Sequence, residues 1–190
     1  MRSVCVFCGS GVGRDRAYAA AARSIGDEIA RRCLRLVYGG GSIGLMGVVA
    51  DAALAGGAEV VGVLPSALFG REVVHAGLTR LHEVRTMHER KALMAKLADA
   101  FIALPGGYGT LDELIEMTTW AQLGIHTKPL GVLDVNGYYA SLREFVARAL
   151  ADGFILPRYA GLIAYDTSPS GLIDRLTAMS ATTQSGRPPA

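Results

Sequence analysis

Three times in the first 110 residues a short apolar run breaks into glycines, and a helical period begins a few residues later. Ser3 to Cys8 runs into Gly9, Ser10, Gly11 and Gly13. Leu34 to Tyr38 runs into Gly39, Gly40 and Gly41, and Ala100 to Leu104 into Pro105, Gly106, Gly107 and Gly109. Each repeat describes a strand, a tight turn and a helix. Strands that alternate with helices in short units need parallel neighbours, with crossover helices covering both sides of the sheet. The expected fold is α/β with a mostly parallel sheet.

The rest of the chain keeps the alternation. Helical spacing spans about Arg14 to Arg32, Ile43 to Leu54, Thr86 to Leu97, Thr110 to Leu123, Tyr138 to Leu150 and Asp174 to Met179. Further strand-length runs are Ala58 to Leu64, Leu78 to Val84, Pro129 to Leu133 and Leu162 to Tyr165, with an irregular stretch at 66–78. One domain over residues 1–179 is expected, followed by a disordered tail over 180–190, where Ser, Thr, Gly and Pro dominate. Parallel sheets bind ligands beyond the carboxyl ends of their strands, where the direction of winding reverses. The turns at Gly9, Gly39 and Gly106 all lie at strand carboxyl ends, so they share one rim.

Composition narrows the functions available. With 51% apolar and 19% charged residues the chain fills a core, and a net charge of +2 gives no electrostatic ground for nucleic acid or an anionic membrane. No apolar run approaches the ~20 residues of a membrane span. The N-terminus enters a strand directly, without a cleavage site, so a cytoplasmic protein is expected. Cys5 and Cys8 spell C-x-x-C, but on a strand they point to opposite faces and read as buried structural thiols. No His and Cys cluster has metal-ligand spacing, and no serine sits in a G-x-S-x-G elbow.

The richest stretch for chemistry is FIALPGGYGTLDELIE, from Phe101 to Glu116. A glycine loop opening a helix aims several N–H groups and the positive end of the helix dipole at one point, which suits a phosphate or another oxyanion. Gly106, Gly107 and Gly109 leave the approach clear, Tyr108 either stacks on a base or covers the loop, and Glu113 is placed to act beside the anion. Thr110 and Glu113 read equally as a capping box with no chemical role. Thr86 with Glu89 forms a second such box, and Arg90 and Lys91 follow it in the first turns of a helix, where a cation opposes the dipole. Arg90 is either a clamp for a phosphate or carboxylate or a surface arginine paired with an acid. Met87, Met94 and Leu97 read as core positions of that helix. Gly39, Gly41 and Gly44 satisfy G-x-G-x-x-G, but the acid expected at the end of the next strand is absent, and Glu59 begins that strand instead. A loop for a small phosphate or a ribose, or close helix packing, fits better than NAD.

CGSGVG at 8–13, YGGGSIGLMG at 38–47, MHERK at 87–91, LPGGYGTLDEL at 104–114 and WAQLGIHTKPLG at 120–131 resemble the LOG family. These are the cytokinin riboside 5'-monophosphate phosphoribohydrolases, sometimes labelled lysine decarboxylases. The resemblance covers about residues 3 to 175, with the family's serine-rich first loop reduced to Ser10 and Gly11. It implies a Rossmann-like, doubly wound sheet with helices on both faces, and a homodimer without a cofactor. The activity implied is hydrolysis of the N-glycosidic bond of an adenosine 5'-monophosphate, N6-modified or not, to free base and ribose 5-phosphate. Arg90 and Glu113 would be the catalytic pair. Glu72, Lys91, Gly107, Tyr108, Gly109, Thr110, Leu111, Asp112 and Thr119 would contact substrate, and Gly106 joins them from the loop. Gly9, Ser10, Gly40 and Gly41 are further loop candidates. A carrier that holds a nucleotide without cleaving it is the alternative from another class. A pyridoxal enzyme would need a Schiff-base lysine, and neither Lys91 nor Lys128 has cofactor surroundings.

Overall fold

A computed structural model of the chain describes residues 1–68 and 73–184. In chain order its elements are β1 (Ser3–Phe7), α1 (Arg16–Arg31), β2 (Arg35–Tyr38), α2 (Gly44–Ala55), β3 (Val60–Pro65) and β4 (Arg80–Val84). They continue with α3 (Met87–Leu97), β5 (Ala100–Ala103), α4 (Tyr108–Gln122), β6 (Leu130–Leu133), α5 (Ala140–Ala151), β7 (Ile163–Asp166) and α6 (Pro169–Gln184). The seven strands form one sheet in the order β4-β3-β2-β1-β5-β6-β7, and every pairing is parallel.

The first half of the chain winds outward from β1 to β4, and the second returns to β1's other side and winds outward to β7. The direction therefore reverses between β1 and β5, whose residues pair from Val4 with Ala100 to Phe7 with Ala103. β1 is buried along its whole length, and alternate residues enter two cores. Val4, Val6 and Cys8 meet α1, α2 and α6 through Ile25, Val49 and Leu172. Cys5 and Phe7 meet α3 and α4 through Met94, Leu114 and Met117. Both cysteines are buried free thiols on opposite faces, as the strand period requires. The outer strand β4 carries exposed Arg80 and Glu83 on a polar edge.

Four local expectations change. The last helix runs to Gln184, so residues 180–184 are helical; residues 185–190 lie outside the described region. Met87 is exposed, leaving Met94 as the core methionine of α3, while Leu97 is half-buried against the same core. α4 begins at Tyr108, two residues before Thr110, with Gly107 as its N-cap and no side-chain cap bond. Thr110 is therefore inside the helix, and the capping-box reading of Thr110 and Glu113 is excluded.

Candidate active site

The three glycine turns meet at the switch between β1 and β5. The N–H of Gly9 donates to the Pro105 carbonyl at 3.1 Å, and the N–H of Leu45, in the first turn of α2, donates to the Gly9 carbonyl at 3.0 Å. A Cβ on Gly106 would collide with the Thr110 side chain and stand 2.9 Å from the Gly9 nitrogen. Gly44 (φ 69°) lies so close to the Ser10 carbonyl that no side chain fits. Glycine in these turns thus lets three backbones touch and fixes the rim.

The loop from Pro105 to Gly107 is held from β6's side. The Tyr138 hydroxyl donates to the Gly106 carbonyl at 2.6 Å, and the Tyr139 hydroxyl donates to the Leu104 carbonyl at 2.7 Å. Tyr139 is itself fixed by its backbone N–H on the buried Asp134 carboxylate, at 2.9 Å. Beyond these supports, Gly107 and Gly109 face open space and Tyr108 is 95% exposed, so the start of α4 is accessible. The tyrosine supports were not legible in sequence, because no local pattern ties 138 and 139 to 104 and 106.

Arg90 is only 4% exposed. Its Nη2 donates to the Gly39 carbonyl at 2.9 Å, and a Cβ on Gly39 would fall on that nitrogen. The surface-arginine reading is thereby replaced by a buried guanidinium at the carboxyl end of β2. Glu113 is half-buried on α4. Burial pushes the thiols of Cys5 and Cys8 upward, and the negative charge of Glu113 pushes both further, while Arg90 pulls Cys5 the other way. Glu113 therefore acts on both thiols and Arg90 on that of Cys5.

Lys91, the next residue of α3, turns towards α4. Its Nζ stands 2.9 Å from Asp112 Oδ2 and 3.0 Å from Glu116 Oε2, so two carboxylates already engage it. Glu116 was not singled out by any motif. Leu111 takes part in the first turn of α4, where its N–H donates to the Gly107 carbonyl at 3.1 Å. Thr119 lies far along the same helix, 11 residues from Tyr108 or about 16 Å at 1.5 Å per residue, with its hydroxyl on the Ile115 carbonyl at 2.8 Å. The fold does not bring Thr119 to the loop of its own chain.

Glu72 lies outside the described residues. The chain immediately after it is fastened to the second glycine turn, where Gly41 and Val74 form an antiparallel bridge. The Ser42 N–H and hydroxyl both donate to the Val73 carbonyl, and the His75 N–H donates to the Gly40 carbonyl at 3.0 Å. Gly40 and Gly41 are buried in this contact. Glu59, the acid that a dinucleotide site would need at the rim, is paired with Arg35 at the opposite end of the sheet, at 2.7 Å. Two cavities of about 480 and 670 Å³ also lie at that amino end, sharing Arg2 and Asp99, and neither is lined by Arg90, Glu113 or a residue of the glycine turns. Among the described residues no group of three or more His, Cys, Asp or Glu could hold a metal ion, and no helix is long and apolar enough to cross a membrane.

Residues 46–176 match the family model described as possible lysine decarboxylase. The chain is 53% identical to the probable cytokinin riboside 5'-monophosphate phosphoribohydrolase LOGL9 of Oryza sativa subsp. japonica, over 92% of this chain and 77% of that protein. It is 50% identical to the cytokinin riboside 5'-monophosphate phosphoribohydrolase LOG3 of Arabidopsis thaliana, over 92% of this chain and 81% of that one. The fold superposes on the Moco carrier protein of Chlamydomonas reinhardtii with a TM-score of 0.72 at 21% identity, covering 95% and 98% of the two chains. It also superposes on the molybdenum cofactor binding protein of Rippkaea orientalis with a TM-score of 0.70 at 19% identity, covering 94% and 98%. These two likenesses concern the fold alone.

Proposed function

The chain belongs to the LOG family of cytokinin riboside 5'-monophosphate phosphoribohydrolases, and from that premise we propose that its glycine rim is the active site for hydrolysis of (N6-modified) adenosine 5'-monophosphate. Water adds across the bond from the anomeric carbon to the base nitrogen: the carbon takes the hydroxyl to give ribose 5-phosphate, and the nitrogen takes the proton to give the neutral free base. The observation that carries the assignment is the uncapped start of α4: a glycine N-cap without a side-chain bond, on the helix that carries Glu113 and on the rim where the buried Arg90 is held by the Gly39 carbonyl. Backbone N–H groups and a helix dipole there suit the 5'-phosphate.

N-glycosidic cleavage passes through an oxocarbenium-like state, which a carboxylate near the anomeric carbon stabilises. Glu113 takes that place and orients the attacking water or the ribose hydroxyls. Arg90, held by Gly39, positions the substrate and offsets charge near the departing base. Gly106, Gly107, Tyr108, Gly109, Thr110 and Leu111 form the cradle, and Gly9, Ser10, Gly40 and Gly41 bound it. The carrier reading gains nothing from the carrier proteins of like fold, since their identity with this chain is 21% or below for the two compared.

The exposed stripe of Tyr108, Ile115, Thr119 and Leu123 along α4, continued by Ile125, fits a homodimer contact, which light scattering on purified protein tests. A cytoplasmic setting fits the free thiols of Cys5, Cys8 and Cys33. The test of function is incubation with AMP and with isopentenyladenosine monophosphate, with free base and ribose 5-phosphate quantified together. Both products form in equal amounts if the chain hydrolyses the bond; unchanged nucleotide means it does not.

A further inference from the structure

Residues 73–77 pass beside the second glycine turn before the chain enters β4, and they are attached in two ways. Their backbone holds the turn: the Ser42 N–H donates to the Val73 carbonyl at 2.8 Å and the His75 N–H to the Gly40 carbonyl at 3.0 Å, flanking the Gly41–Val74 bridge. The other attachment is a side chain. The His75 ring is 11% exposed, its Nδ1 accepts from the Gly77 N–H at 3.1 Å, and its Nε2 lies 3.0 Å from Asp51 Oδ1 on α2. Because Nδ1 accepts, the proton of the neutral ring stands on Nε2, which therefore donates to Asp51. One imidazole thus closes the local turn at 75–77 and ties it to α2. That helix is itself fixed to the rim, since its first turn carries the Leu45 N–H bond to Gly9.

We infer that His75 is a positioning residue for the hydrolysis proposed above: by tying residues 73–77 to Asp51 it holds the second glycine turn in place, and through the Gly39 carbonyl it holds Arg90. The inference rests on that reading of the site for its catalytic readout. Gly39 and Gly40 share a rigid peptide unit, so a shift of Gly40 moves the carbonyl that takes Arg90 Nη2 at 2.9 Å. The turn has little of its own to fix it. Gly39, Gly40 and Gly41 bring no side chains to pack, and Gly40 lies at φ 85°, a conformation that costs glycine nothing but does not confine it. Bonds from outside therefore decide where the turn stands. Those from residues 73–75 come from backbone that any sequence supplies, and the His75 ring is what fastens that backbone to α2. Asp51 is 70% exposed, so water screens its charge and the tie is worth about one ordinary hydrogen bond, or roughly fivefold in an equilibrium constant.

Two substitutions separate the two ring bonds. His75→Asn keeps an acceptor for the Gly77 N–H, in the manner of an Asx turn, but is too short to reach Asp51. His75→Gln can set its amide N–H on Asp51 and gives up the turn bond. With the full chain and AMP as substrate, His75→Asn and Asp51→Ala should each lower kcat by about fivefold with KM within about twofold, because the loss is one of alignment. The double variant should be no worse than the poorer single one, and His75→Gln should recover most of the wild-type rate. Amide hydrogen exchange reads the tie without turnover: the Ser42 and His75 amides should exchange about fivefold faster in His75→Asn and Asp51→Ala, and near the wild-type rate in His75→Gln. Unchanged exchange in the first two variants overturns the tie, whatever the protein does to AMP. Faster exchange with wild-type kcat overturns the link to Arg90, as does a His75→Gln variant that regains its exchange protection but not its rate. If the wild type releases no adenine, the reading of the site falls and the positioning role with it, while the exchange rates still decide whether His75 holds the turn.

Discussion

Arg90 Nη2 rests 2.9 Å from the Gly39 carbonyl, at a point of β2's end where even a methyl group would overlap the guanidinium. Gly39 therefore sets how deep Arg90 lies. Replacing it with alanine should push Arg90 out of line while leaving the sheet paired through Val37 and Tyr38. We expect Gly39→Ala to lower kcat/KM for AMP by about 10-fold or more, with melting little changed. Steady-state rates with a parallel thermal melt check this, and wild-type rates in the variant would show that the contact has no role in catalysis.

Glu113→Gln keeps the size of the side chain and removes its charge. If that carboxylate stabilises the developing cation, base release should drop by about 100-fold with the fold intact. Arg90→Ala should cost at least as much. High-performance chromatography of liberated adenine against far-ultraviolet dichroism of both variants decides the matter; turnover near wild type in either folded variant removes that residue from the catalytic pair.

The Tyr138 hydroxyl bond to Gly106 can be deleted with little else, because the ring also packs edge-on against Tyr18 and Tyr139, with centroids 5.5 and 5.1 Å away. Loss of one such bond is worth about 1 kcal/mol, or roughly fivefold in an equilibrium constant. Tyr138→Phe should therefore loosen the loop and raise KM for AMP by about that factor. If the loop holds the phosphate, binding of adenosine should not change, and inhibition by adenosine measured beside AMP turnover tests the distinction.

Much of this architecture was legible because glycine and apolar runs punctuate each βα unit, and all seven strands fall where those runs lie. Two identical local patterns show where reading a sequence stops. Thr86-x-x-Glu89 does cap its helix: the Thr86 hydroxyl accepts from the Glu89 N–H at 3.1 Å, and Glu89 reaches back to the Arg85 N–H at 2.9 Å. Thr110-x-x-Glu113 has the same chemistry but lies inside α4, with the Thr110 side chain packed on Gly106. What separates them is the contact of the Gly106 turn with Gly9, a pairing about one hundred residues apart that no local pattern encodes. The Lys91 to Glu116 pair and the Tyr138 support escaped for the same reason. The final helix was underestimated because Ser, Thr and Ala at 180–183 lack an apolar period, yet α6 continues through them.

Acid should weaken the join between α1 and α6. Glu28 accepts bonds from Arg31 and Arg32, and Arg32 Nη1 bonds Asp174 on α6 at 2.6 Å. The Arg31 bond foremost holds the Glu28 carboxyl below its usual range, against burial that raises it. A group depressed in the folded state contributes stability above its unfolded pKa, and that stability is lost as pH falls through the folded value. Glu28→Gln should thus cost about 1 kcal/mol at pH 7 and much less near pH 3, a convergence that urea melts at the two pH values would reveal. Parallel curves with a constant offset would show that the pair, not the charge, matters.

Gly26 gives the sharpest test of packing, because local propensity and tertiary contact predict opposite signs. In the middle of a helix, alanine is favoured over glycine by about 1 kcal/mol. Gly26, however, is where α1 crosses α2, and a Cβ there would stand 2.6 Å from the Val49 carbonyl oxygen and 2.7 Å from the Ala52 Cβ. Neither neighbour is the flexible end of a side chain, so the helices would have to separate. Overpacking of this kind costs about 1–3 kcal/mol, which exceeds the propensity gain. Gly26→Ala should therefore lower the melting temperature, and a rise would mean that α1 and α2 are not held this close.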